Sequence, residues 1–479
     1  MPSQNLIRVR ADAEREFRWR YVLLTVLCMI GVLLLFTGLK PERFRQGLLT
    51  GPGVTADIFA EQADAIRQGH AYLDREVPGQ LLKLENPYDP AQRRGVPFSW
   101  DYALFDGHYY CYFGVAPAVL LYLPVHALTG CYPTLSAACL FFAELATLLL
   151  ACALAAFRKV FCPGAPDALT LLALPCLICT AGISYTAVLQ DRYYLPLIAA
   201  IAFFFGFWAA IAGGLARKGF AQRFLFALGA VCLSLGVLSR PTTILPCLAA
   251  VPFLIGFLRR SGRWQGLRGA LAFFLPLAAG AGVTMAWNVA RFGSPLDFGT
   301  DYQLTVSDIS LNRIDPNWFV YSIRTYFLED VGLEKGSLPA FLRGTLNPSG
   351  RAIYRDMAPG VLFFPAIWGV FAERFLKKRE GSGAFRWYVV LTVLLSVLLA
   401  WFDCCKGGIN LRYLLDILPA LLLCGTAVML RLTGERKTRV GKIACAALLA
   451  AFLLASVWIS LGVRVFLPDT AIFDPFFRK

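Results

Sequence analysis

Eleven apolar runs, of roughly 16–25 residues each, constrain this chain more than any other feature, because each can cross a ~30 Å hydrocarbon layer as a helix. They fall near 21–39, 134–157, 168–187, 194–214, 224–239, 242–257, 269–287, 359–375, 387–402, 413–431 and 443–465. A backbone in lipid must satisfy its own hydrogen bonds, so runs of this length are read as helices. Of the 479 residues 57% are hydrophobic, above the ~45–50% of a soluble domain. The expected fold is an all-α polytopic membrane protein of about eleven transmembrane helices.

The formal net charge of +15 would suggest nucleic acid in a soluble protein, but its placement argues against that partner. Lys and Arg cluster in short connections at 8–20, 158–159, 217–223, 259–268, 374–386 and 431–442. Cytoplasmic loops carry this excess, so the N-terminus is expected inside and the C-terminus outside, in a plasma membrane of bacterial type. The first run is too long for the apolar part of a signal peptide. The chain then divides into a core over 1–465, with large extracytoplasmic loops at 40–112 and 288–358, and a short outer tail at 466–479. Both loops are long enough to pack on each other, and long structured loops on one face usually carry function. The stretch 224–257 reads as two short helices turned at Ser239-Arg240-Pro241, and 113–128 as a helix lying in the outer interface. Most of the 14 cysteines sit in apolar runs, as small hydrophobes do. A Cys111–Cys131 bridge is compatible with their outer position, while Cys404 and Cys405 are expected to be free.

In the first loop Ile58, Phe59, Ala63 and Ile66 follow one helical stripe, and Asp57, Glu61, Asp64 and Gln68 the opposite one. The pattern predicts an amphipathic helix on the outer membrane surface with its acids turned from lipid. Asp57 reads either as a general base or as a first-turn acid behind a Thr55 cap, where the helix dipole would lower its pKa. Asp106-Gly107 between aromatic residues predicts a hairpin turn. Asp101 stands between Trp100 and Tyr102; acids bind sugar hydroxyls while rings stack on sugar faces, although such rings also anchor at interfaces. Asp191 and Arg192 occupy a very short outer connection, as a functional pair or a plain surface pair. Arg240 is a lone cation between apolar runs; its fork suits a phosphate, or it pairs with a loop acid. Arg412-Tyr413 is a second candidate, with Asp416 one turn on as a partner for Arg412. The three histidines show no metal-ligand spacing. Walker, dinucleotide and Ser-His-Asp patterns are absent.

The arrangement resembles the GT-C superfamily of polytopic glycosyltransferases, bacterial relatives of protein O-mannosyltransferases and lipid A aminoarabinose transferases. The resemblance rests on Asp57 opening the first loop, followed by 65–72, Gly107-His108-Tyr109-Tyr110, Ala116-Pro117-Ala118, the stretch 288–299, and the late Arg412-Tyr413 with Pro419. It implies transfer of a sugar from a polyprenyl-phosphate donor to a glycan, lipid or other hydroxyl acceptor at the extracytoplasmic face. Asp57 would be the base, with Asp101 or Asp191 as second acid. Arg240 and Arg412, with Arg192 behind them, would bind the donor phosphate. Glu61, Trp100, Tyr102 and Tyr413 would contact sugar or acceptor. No cofactor is assigned, and a divalent metal is compatible with the pattern. The competing expectations are a transporter or lipid flippase, marked by charges at mid-membrane, and a non-catalytic assembly protein.

Overall fold

A computed structural model describes residues 2–39, 47–328, 360–377, 382–407 and 411–462. The 466–479 tail, residues 40–46 of the first loop and 329–358 of the second lie outside the described residues. Ten helices are long and apolar enough to cross a membrane among the described residues. These are α1 (Pro2–Leu39), α4 (Leu135–Val160), α5 (Asp167–Leu189, broken at Gly182), α6 (Leu195–Leu215), α7 (Gly219–Ser239), α8 (Pro241–Arg260), α9 (Arg263–Phe292), α10 (Ser382–Gly407), α11 (Leu411–Glu435) and α12 (Arg439–Gly462). Between α1 and α4 lie α2 (Ile58–Gln68) and α3 (Ala118–Thr129). The chain is an integral multi-pass membrane protein with α6 and α11, buried along most of their length, at its centre.

The helices begin and end as their sequences dictate. The Thr134 hydroxyl accepts from the Ala137 N–H to cap α4, and Arg158 and Lys159 close its last turn, where cations meet the negative end of the helix dipole. Arg240 is extended, at φ −154° and ψ 112°, and forms the turn between α7 and α8. The two short helices expected there are full-length, with 21 residues in α7 and 20 in the α8 span.

The eleventh expected span, 359–375, is not an α-helix. Pro365–Phe375 is a 3-10 helix of 11 residues, long for that form; at ~2 Å per residue it covers about 20 Å. It still makes a pass. Helices α9 and α10 both run toward the end that carries the large loops: Arg291 of α9 donates to the Cys111 carbonyl, and the Lys406 carbonyl of α10 accepts from Asn312. The 3-10 segment runs the other way, alongside α11. Glu373 pairs with Arg386 at the start of α10, and the Lys377 N–H donates to Glu435 at the end of α11. The 3-10 segment therefore returns the chain to the basic end.

At the loop end, Ala103–Phe105 (β1) and His108–Tyr110 (β2) form the expected hairpin, with Asp106 at φ 45° and Gly107 at φ 74°. The second loop docks on the first, as expected. Leu304 N–H donates to the Tyr102 carbonyl, Asp101 N–H to the Leu304 carbonyl, Arg93 to the Thr305 carbonyl and Asn86 to Asp308. Phe105, Tyr110, Phe292 and Tyr302 pack ring to ring beneath this seam. The Cys111–Cys131 bridge is absent: both thiols are free, and Cys111 is buried. Cys404 and Cys405 are free too.

Candidate active site

Asp57 is itself the N-cap of α2. Its backbone is extended, at φ −149° and ψ 168°, and its Oδ1 accepts from the N–H groups of Phe59 (2.8 Å) and Ala60 (3.0 Å). Thr55 is not the cap. The apolar face of α2 does not rest on lipid, as the amphipathic pattern suggested. It enters the protein core: Ile58, Phe59, Ala60 and Ala63 are 0–2% exposed and pack toward α3.

The three acids of this helix have different partners. Glu61 is ion-paired with Arg75. Asp64 accepts from Arg67, Gln68 and the Tyr132 hydroxyl. Asp57 has only neutral donors, the third being the Tyr122 hydroxyl, 3.3 Å from Oδ2. Burial pushes the Asp57 carboxyl up to about 6, against the lowering pull of the Ala60, Phe59 and Tyr122 hydrogen bonds. The helix terminus alone would have lowered it; desolvation wins. Tyr122 is buried, and burial with Asp57 beside it holds its phenol well above the usual range, so it acts as a donor.

A layer of rings connects Asp57 to a cluster of cations. The ring of Phe59 lies 6.2 Å from Tyr122 and 5.7 Å from Phe113. Phe113 lies tilted against Tyr112 (4.2 Å) and meets the Tyr193 ring edge-on (5.9 Å). The Arg412 guanidinium sits over Tyr193 at 4.4 Å. Next in the chain, Gly114 is pressed onto the end of α7, where any Cβ would overlap the carbonyl oxygens of Leu238 and Ser239. Segment 111–116 is thus the hub that seats Asp57 on one side and the Arg240 turn on the other.

Beyond the rings, Arg240 makes a bidentate pair with Asp416, Nε to Oδ1 and Nη2 to Oδ2, both 2.5 Å. The Asp416 side chain is 5% exposed, and Thr242 also donates to it. Asp416 therefore holds Arg240, not Arg412 as the helical spacing suggested. The Tyr413 ring lies between the two guanidiniums, 5.3 Å from Arg240 and 5.2 Å from Arg412. Asp101 is buried, in the left-handed region at φ 58°. Burial raises its carboxyl above the usual range, against the pull of Thr305, Arg412 and Arg192. Arg192 donates to the Trp100 carbonyl at 3.3 Å.

The structure thus gathers Asp101, Arg192, Arg240, Arg412 and Tyr413, with Asp57 across the ring layer. The other candidates have other surroundings. Asp191 is exposed and its carboxylate accepts from the Arg192 backbone N–H (2.5 Å) rather than from the guanidinium. Tyr102 is buried beneath Arg75, and the same arginine pairs with Oε1 of Glu61, whose Oε2 has no hydrogen-bond partner among the described residues. Trp100 is exposed on the surface. The sequence reading missed Tyr122, Tyr112, Tyr193 and Asp403. Asp403 is 4% exposed near the loop end of α10, with no hydrogen-bond partner on Oδ2. An acid abutting the apolar run 387–402 was the available signal, since such residues are costly in membranes unless used. No group of three or more His, Cys, Asp or Glu converges to hold a metal among the described residues.

The site thus defines an integral membrane protein with a half-buried carboxylate and a guanidinium cluster at its loop end. No family model matches the sequence, and no curated protein does. The fold is similar to the apo oligosaccharyltransferase of Archaeoglobus fulgidus, with a TM-score of 0.47 and 13% identity over 95% of this chain and 60% of that one. It is similar also to ArnT from Cupriavidus metallidurans bound to undecaprenyl phosphate, with a TM-score of 0.42 and 13% identity over 95% of this chain and 79% of that one. The chain spans 60% of the length of the oligosaccharyltransferase. At 13% identity the chemistry has to be argued from the site itself.

Proposed function

We propose that this protein is a glycosyltransferase of GT-C type, acting on a polyprenyl-phosphate-linked sugar at the extracytoplasmic face. The observation that carries this reading is Asp57. It is a carboxylate held only by neutral donors, raised to about 6 by burial, and joined to Arg412 through the rings of Phe59, Phe113 and Tyr193. A carboxylate has about four acceptor sites. Phe59, Ala60 and Tyr122 fill three, which leaves one on Oδ2 for an acceptor hydroxyl.

At neutral pH Asp57 is largely ionised and takes the acceptor proton as the acceptor oxygen attacks the anomeric carbon. The bond from that carbon to the phosphate oxygen breaks, and polyprenyl phosphate leaves with the electron pair. Arg412 and Arg192 offset the charge that develops on the leaving phosphate. Arg240, occupied by Asp416, acts through Tyr413 as a positioning residue. Asp101, whose carboxyl feels the charge of both Arg412 and Arg192, orients their guanidiniums. The proton on Asp57 returns to solvent after product leaves.

The transporter reading needs a charged path at mid-membrane. Among the described residues Glu144 is the carboxylate set well inside a span, and no charged group appears among its electrostatic neighbours. The test is transfer by purified, liposome-reconstituted protein from a panel of polyprenyl-phosphate sugars. Asp57→Asn is expected to lose about 10²–10⁴-fold in rate while eluting and unfolding as the parent does. A fully active Asp57→Asn protein rejects the base assignment.

A further inference from the structure

The basic end holds a second site that the transfer reaction does not use. A cavity of about 560 Å³ opens among the ends of α4, α6, α7, α8, α9, α10 and α11. Its floor is aromatic: Phe161 stacks on Phe253 at 4.4 Å, and Phe257 and Phe385 complete it. Its walls carry Arg217, Lys218, Arg260 and Arg431. The one acid lining it, Glu435, is already consumed by Arg431 (3.1 Å) and by the Lys377 backbone N–H (2.9 Å). Arg217, Lys218 and Arg260 make no ion pair among the described residues. The surplus of positive charge therefore faces a void with an apolar base.

The rim places this void at headgroup depth. In the first turns of α7 and α9, next in sequence to the lining residues Lys218, Gln222 and Gln265, Phe220, Phe224 and Trp264 are 74%, 56% and 70% exposed. Exposed rings at the ends of membrane helices sit at the interface between hydrocarbon and water. A soluble anion would not require an apolar floor, and a neutral lipid would leave three cations unanswered. Basic pockets between membrane helices suit phosphate-bearing headgroups.

We propose that this cavity binds one anionic phospholipid, its phosphate among Arg217, Lys218 and Arg260 and its glycerol backbone over Phe161, Phe253 and Phe257. The acyl chains remain in the bilayer. The site stands independently of the transferase reading. Gly256 lines the cavity, and a Cβ there meets nothing closer than Ala384 Cβ at 3.9 Å and Arg260 Nη2 at 4.0 Å. A side chain at this position starts into open space on the cavity wall, so Gly256→Phe serves as a second variant beside Arg217→Gln/Lys218→Gln/Arg260→Gln.

The experiment is native mass spectrometry of the delipidated full-length protein, titrated with phosphatidylglycerol, phosphatidylcholine, polyprenyl phosphate or inorganic phosphate. The parent protein is expected to take up one phosphatidylglycerol about tenfold more tightly than phosphatidylcholine. Either variant is expected to lose that preference while still eluting as a folded protein. Equal uptake of both phospholipids, or unchanged preference in the folded Gly256→Phe protein, overturns the site. Displacement by inorganic phosphate assigns the cations to a soluble anion and overturns the lipid. Tighter uptake of polyprenyl phosphate, lost in the same variants, overturns the phospholipid as occupant.

Discussion

Asp57 and Asp416 lie on opposite sides of one aromatic layer, and the fold treats them in opposite ways. Asp416 is gripped at both oxygens by Arg240; Asp57 is gripped by two backbone N–H groups and a phenol. The first arrangement cancels a charge, leaving the acid little to offer a substrate. The second keeps a half-buried carboxylate with no counter-ion, which costs stability but leaves a proton acceptor tuned near neutrality. A carboxylate's burial alone does not distinguish scaffold from chemistry. The charge of its partners does.

The largest expected effect breaks that contrast on the Asp416 side. Arg240→Met strands a buried carboxylate, and truncating one partner of a buried pair costs about 3–5 kcal/mol. Thermal unfolding in detergent should fall sharply. Adding Asp416→Leu should recover most of the loss, because replacing both partners by apolar groups is often nearly neutral. A stable Arg240→Met protein with weakened donor binding alone would instead make Arg240 a phosphate ligand, and the two acids would no longer differ in kind.

Much of the architecture was legible because apolar length and basic loops are local signals. Ten of the eleven runs are long helices, the Arg240 turn and the Asp106-Gly107 hairpin fall where they were expected, and the two loops meet. The 3-10 segment escaped because an apolar run announces burial, not its helical pitch. The α2 helix was read with the right faces and the wrong neighbour, since a period of 3.6 cannot say whether lipid or protein covers the apolar side. The site was harder. Arg240 and Asp416 are 176 residues apart, and Tyr122 and Asp57 are 65 apart; no spacing rule joins them. Asp416 was one turn from Arg412, and local spacing favoured the wrong pair.

A middle-sized effect probes the hub that holds both acids in place. Gly114→Ala puts a methyl group against two backbone carbonyls that cannot swing aside. Overpacking of this kind costs about 1–3 kcal/mol. The displacement should fall on segment 111–116, so transfer should drop further than stability alone explains, with both KM and kcat affected. A parent-like Gly114→Ala enzyme would show that Asp57 and the Arg240 turn are seated independently.

The smallest effect sharpens the Asp57 side. The hydrogen bond from Tyr122 favours the ionised carboxylate, so Tyr122→Phe should raise the apparent pKa of Asp57 above its present value of about 6, by about half to one unit at 1.36 kcal/mol per unit. The acid limb of the kcat/KM profile should move up by the same amount, so the variant loses more activity at pH 6 than at pH 8. Stability should change with the matching sign. The folded pKa lies above the unfolded value of about 4, so the folded state binds the extra proton between those values. This contribution is complete below pH 4 and is lost as pH rises through about 6. Asp57→Asn should abolish that slope, and Tyr122→Phe should extend it to higher pH. An acid limb unmoved by Tyr122→Phe, with the slope still present in Asp57→Asn, would mean that another carboxylate titrates there, with Asp101 next in line.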